Sequence, residues 1–107
     1  MTARPYTLGS WRVQPGREAE FVQAWLELAE VFKRLAAPPG EGMLLQSVED
    51  TQVFYSVGDW PSLDAIHAMR ADPDARAGLA RLAGLCSQGR PGIFRVVATA
   101  SGADRER

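Results

Sequence analysis

His67 is the only histidine in the 107-residue chain, and an ordinary pKa of about 6.5 lets imidazole change charge near neutral pH. A side chain of that kind serves as a general base or proton relay. Tyr55 supplies a phenolic O–H that can donate to a substrate oxygen, while Trp60, Trp25, Phe21 and Leu63 supply flat or branched apolar surface for a planar ligand. Together these residue types could remove a proton from an apolar ligand and donate to a developing oxyanion. Each residue also has a plain structural reading. His67 is then a hydrogen-bonded helix histidine at the core edge, Tyr55 an interface or core tyrosine, Trp60 a core lid, and Trp25 and Phe21 helix-to-sheet packing. No metal-ligand cluster, nucleophile elbow, phosphate loop or GxGxxG motif is present, so zinc, hydrolase and nucleotide chemistry find no support.

These residues need elements to position them. Val53 to Val57 is β-branched or aromatic at every place but Ser56, which suits a pleated strand. Gly58-Asp59 ends it, and Trp60-Pro61-Ser62 opens a helix near Pro61, because proline lacks only an N–H that would be unpaired in a first turn. On that helix Leu63 and Ile66 define an apolar stripe, and His67, four after Leu63, is expected to border it. Burial there would lower the histidine's pKa unless Asp59 or Asp64 offsets the desolvation.

Upstream, Tyr6 to Gln14 reads as a first strand ended by Pro15-Gly16, with Met1 to Pro5 expected to be loose. From Arg17 to Ala36, Phe21, Trp25, Leu28, Phe32 and Leu35 recur at helical spacing, with Glu18 and Glu20 in the first turn and Lys33 and Arg34 in the last, as the helix dipole favours. Pro38-Pro39-Gly40 stops this helix. Trp11 falls near the end of the first strand on a face that the pattern does not assign.

Met43 to Glu49 reads as a second strand, joined to the third by a hairpin at Glu49-Asp50-Thr51. Ala71-Asp72-Pro73 interrupts the second helix, Ala75 to Leu85 continues it, and Gln88-Gly89-Arg90-Pro91-Gly92 reads as its stop before a fourth strand from Ile93 to Thr99. Ser101 to Arg107 is apolar-poor and expected to be a frayed tail. The order strand, helix, strand, strand, helix, strand predicts one α+β domain with an ordered core over about 6–100. It is a ferredoxin-like split βαβ sandwich, an antiparallel sheet with both helices on one face.

Composition agrees with a packed globular domain, at 46% hydrophobic and 23% charged residues. Net charge is −1, with 12 basic and 13 acidic residues scattered along the chain, so nothing marks a nucleic-acid surface. No apolar run approaches the roughly 18 residues that span a bilayer, and the single cysteine, Cys86, cannot form an intrachain disulfide. A cytoplasmic protein is expected. The strands are apolar on both faces: Val53, Tyr55 and Val57 oppose Phe54, and Met43 and Leu45 oppose Leu44. Helices cover one face only, so a homodimer closed by sheet-on-sheet packing is expected.

The Val13-Gln14-Pro15-Gly16-Arg17-Glu18 strand end, the Phe21 and Trp25 helix, the Val53-Phe54-Tyr55 strand and Asp59-Trp60 leading to Ile66-His67 resemble the dimeric α/β-barrel proteins of the antibiotic-biosynthesis-monooxygenase type. The resemblance covers about Thr7 to Ala98. It implies a homodimeric α/β barrel with a pocket between helices and sheet. It also implies, as one branch, cofactor-independent oxidation of a planar phenolic or polycyclic compound to a quinone. On that branch His67 is the base, Tyr55 the donor, and Trp25, Trp60, Leu63 and Phe21 the substrate slot, with no cofactor expected. Haem-degrading relatives also use an asparagine on the first strand, and this sequence has none. His67 alone would still suffice as a proximal haem ligand. The reading from another class is a non-catalytic dimer that binds a small aromatic ligand or serves as an accessory subunit.

Overall fold

The computed structural model describes residues 4–102. In chain order it contains β1 (Pro5–Val13), α1 (Glu18–Lys33), β2 (Gly42–Gln46), β3 (Val53–Asp59), α2 (Leu63–Ala71), α3 (Pro73–Gly84) and β4 (Cys86–Arg95). The strands form one antiparallel sheet in the order β2-β3-β1-β4. With the helices on one side, this is the expected ferredoxin-like α+β arrangement.

Local chemistry explains the breaks between elements. Gly16 turns the chain into α1 at φ 83°, a left-handed conformation that glycine adopts without steric cost. Ser62 caps α2 by accepting the Ala65 N–H at 3.1 Å, so that helix begins at Leu63, two residues later than the proline implied. The break foreseen at Ala71-Asp72-Pro73 is a capped restart. Asp72 accepts the Ala75 N–H at 2.9 Å, and Pro73 occupies the first helical turn of α3.

Several strand boundaries differ from the sequence reading: β2 stops at Gln46 rather than Glu49, and β3 runs through Gly58-Asp59, the residues expected to end it. Pro5, expected in a loose segment, is buried at the start of β1, and its carbonyl accepts the Trp60 N–H at 3.0 Å. The larger correction is β4, which starts at Cys86 and runs through the Gln88 to Gly92 stretch taken for a helix stop. Being an edge strand, β4 tolerates Pro91, which a strand paired on both sides would not. Gly89 is needed there, since a Cβ would lie 2.9 Å from the Trp11 ring. Val96 to Thr99 continues beyond the strand. Of the expected tail, Ser101 and Gly102 are irregular and exposed, and 103–107 lie outside the described residues, as do 1–3.

Alternation decides which side chains meet the helices. Register pairs Thr7 with Gly58, Gly9 with Ser56 and Trp11 with Phe54, and Gly42 with Gly58. This layer faces α1. It packs in two clusters, one around Trp11, Val13, Phe21, Leu28, Phe54 and Leu82, the other around Trp60, Ile66, Met69 and Ala75. Val31, Phe32 and Leu79 pack against both. The opposite sheet face carries Met43, Leu45, Tyr55 and Phe94, all about half exposed.

Candidate functional site

The helix-facing layer is short of side-chain volume in its middle. Gly42, Gly58 and Thr7 lie in one row across the sheet, and Ser56 and Gly9 in the next. Backbone and hydroxyls therefore stand where large side chains would fill the space under α1. A cavity of about 760 Å³ opens there, at the seam of the two core clusters. That volume lies within the roughly 300–1,000 Å³ typical of small-molecule sites. All three tryptophans line it, together with Leu28, Phe32, Met69 and Leu79. Exposed Leu26, Lys33 and Arg70 at its margin open it to solvent.

Two indoles are fixed by floor hydroxyls. Trp60 donates Nε1–H to Thr7 Oγ1 at 3.0 Å, and Trp11 donates Nε1–H to Ser56 Oγ at 3.0 Å. Neighbouring glycines make room for these rings. A Cβ at Gly9 would lie 2.7 Å from Trp11 Nε1, and one at Gly58 would lie 2.8 Å from Thr7 Oγ1 and 3.1 Å from Trp60 Nε1. Phe32 meets Trp60 edge-on with ring centroids 5.3 Å apart, which holds the wall between α1 and β3. Trp25 closes the side over β2, where Gly42 leaves its ring room.

Charge at the cavity is confined to its margin. Glu27 accepts from Gln23 Nε2 at 3.3 Å and from Arg81 on α3, and both bonds hold its carboxyl below the ordinary value. Glu30 pairs with Lys33 at 2.8 Å, which likewise lowers its pKa. Both carboxylates are thus weak bases at neutral pH. Arg70, in the last turn of α2, also lines the cavity and makes no ion pair among the described residues.

Of the six residues singled out in the sequence, the structure brings Trp25 and Trp60 together at the cavity. Phe21 is fully buried in the layer beside it, its ring tilted against those of Trp11 and Phe54 at centroid distances of 5.8 and 5.0 Å. Leu63 is 52% exposed and does not line the cavity. Tyr55 is on the opposite face of the sheet and 47% exposed. His67 is exposed as well. The buried face of α2 is Ala65, Ile66 and Met69 rather than Leu63 and Ile66, and at about 100° per residue His67 stands roughly 200° from both Ala65 and Met69. The histidine expected beside the hydrophobic layer thus points away from it.

Trp11, Thr7, Ser56 and Arg70 are among the lining residues that sequence reasoning did not assign to the site. The signal for Trp11 and Thr7 was present. Thr7, Gly9, Trp11 and Val13 alternate on β1, and glycine inside a strand marks a close approach by another group.

No protein-family model matches the chain, and no curated protein is similar to it in sequence. Solved structures are similar in fold. A mutant form of SnoaB, a cofactor-independent oxygenase from Streptomyces nogalater, superposes with a TM-score of 0.82 at 20% identity, over 92% of this chain and 97% of that one. A protein of Bordetella bronchiseptica described as a candidate antibiotic biosynthesis monooxygenase gives 0.78 at 22% identity, over 91% and 100%. PA3566 from Pseudomonas aeruginosa gives 0.74 at 14% identity, over 92% and 98%. Along nearly its whole length, this chain has the fold of the antibiotic-biosynthesis-monooxygenase proteins.

Proposed function

We propose that the protein is a homodimeric, cofactor-independent oxygenase-like enzyme of the cytoplasm that oxidises a planar phenolic or polycyclic compound to a quinone. The observation that carries this reading is the cavity between α1 and the sheet, walled by Trp11, Trp25 and Trp60 and floored by glycines and hydroxyls. The fold shared with a cofactor-independent oxygenase supports it.

The reaction asks little of the protein. The ionised substrate gives an electron to O₂, the radicals recombine at the ring carbon, and loss of water from the peroxide leaves the quinone. One oxygen atom enters the product, the other leaves as water, and the substrate is the reductant. The walls hold the ring flat and keep water from the reacting face. His67 and Tyr55 stand outside this slot, so the substrate's proton leaves to solvent at the open margin.

One observation favours a second reading, that of a binding protein without catalysis: among the described residues no histidine lines the cavity, and the carboxylates that do, Glu27 and Glu30, are made weaker bases by their hydrogen bonds. Oxygen uptake with 1,8-dihydroxy-9-anthrone separates the two. The enzyme reading requires uptake well above the uncatalysed rate, without added flavin or metal. Saturable binding of the anthrone with no added uptake would assign the binding role.

A further inference from the structure

We propose that the cavity selects planar aromatic ligands bearing an oxyanion, and that Arg70 is the residue that recognises it. The inference rests on the reading of the cavity as a ligand site. It follows from the pairing of charges around the margin. Glu27 is matched by Arg81 and Glu30 by Lys33, which leaves the Arg70 guanidinium as the cation that lines the cavity with no carboxylate partner among the described residues. Within the cavity the hydroxyls of Thr7 and Ser56 already receive the indole N–H groups of Trp60 and Trp11. Accepting those bonds leaves each hydroxyl its own O–H, but the charged donors sit at the margin, where only the Arg70 N–H groups lack a carboxylate partner among the described residues.

A neutral hydrocarbon would leave those donors to water. A ring carboxylate or ionised phenol would place its flat body against the tryptophans and its oxygens on the guanidinium, whose planar fork suits two-oxygen anions. The position of Arg70 strengthens the assignment. Held in the last turn of α2, one residue after buried Met69, it is anchored by packed helix rather than carried on a loop. Placed there, the cation also favours the ionised form of a bound phenol, the form that reacts with O₂.

Calorimetric titration at pH 7 with 2-naphthoate and its neutral analogue 2-naphthalenemethanol tests the proposal, with wild type, Arg70→Gln and Arg70→Lys. Because Arg70 is exposed, the expected preference for naphthoate is modest, about five- to tenfold. Arg70→Gln should erase that preference while leaving affinity for the neutral alcohol unchanged. Arg70→Lys, which keeps charge but loses the fork, should retain part of it. A third probe, 2-naphthol, should show a lowered pKa when bound to wild type but not to Arg70→Gln. Equal binding of acid and alcohol by wild type, or an unchanged preference in Arg70→Gln, would overturn the role of Arg70 while leaving the cavity as a ligand site. Failure of all three probes to bind would overturn the site itself and the proposal with it.

Discussion

Trp60 and Thr7 are joined by a 3.0 Å hydrogen bond from the indole N–H to the threonine hydroxyl, across the β1–β3 ladder and directly beside Gly58. The bond satisfies a donor on a fully buried ring and fixes one wall of the cavity. Removing it by Thr7→Val leaves that N–H unpaired and should cost about 1–3 kcal/mol. Gly58→Ala should cost a similar amount by overpacking, since its Cβ would lie 2.8 Å from Thr7 Oγ1. Thermal melting reads both, at about 4–8 °C per kcal/mol for a domain of this size. An unchanged melting temperature in both variants would mean that the tryptophan is not seated as described.

The uncovered sheet face makes a second prediction. Met43, Leu45, Tyr55 and Phe94 are each about half exposed on one side of the sheet, an apolar patch of the kind soluble monomers seldom leave open. Sedimentation at micromolar concentration should show a dimer. Leu45→Glu and Tyr55→Glu should yield folded monomers, because neither side chain is needed by the helix-side core. Phe54→Glu, on the buried face, should unfold the chain instead. A wild-type monomer, or dimers undisturbed by both surface charges, would contradict sheet-on-sheet association.

His67 makes a third. Exposed on α2 and outside the cavity, it should be replaceable by alanine within about 0.5 kcal/mol of wild-type stability, the ordinary range for a surface site. The rate of quinone formation should be unchanged as well. A loss of about 10²- to 10⁴-fold, the contribution of a positioned general base, would restore the histidine to the chemistry. It would also show that the working site reaches the outer face of α2.

The fold was legible because its signals are periodic. The Phe21, Trp25, Leu28 and Phe32 spacing marks α1, and the proline and glycine punctuation marks most of the breaks. Two features defeated that logic. The stretch from Gln88 to Gly92 has turn composition, yet an edge position and the Trp11 ring over Gly89 make it strand. On α2 the choice between neighbouring stripes turned on Leu63, an apolar residue that the helix leaves exposed, and an error of one position around the helix carried His67 from core edge to solvent. Trp25 and Trp60, named in the sequence as slot residues through the family resemblance, line the cavity. The cavity itself is written in what is missing, the small residues at Gly9, Gly42, Ser56 and Gly58, and only strand register brings those together.

The most direct measurement is the initial rate of quinone formation from 1,8-dihydroxy-9-anthrone in wild type, Trp25→Ala and Leu63→Ala, each checked for native circular dichroism. If the tryptophan-walled cavity is where the substrate reacts, wild type should exceed the uncatalysed rate and Trp25→Ala should fall by about tenfold or more through lost positioning. Leu63→Ala, whose side chain lies outside the cavity, should match wild type. A folded Trp25→Ala variant that turns over at the wild-type rate, or a wild type no faster than buffer, would contradict the account.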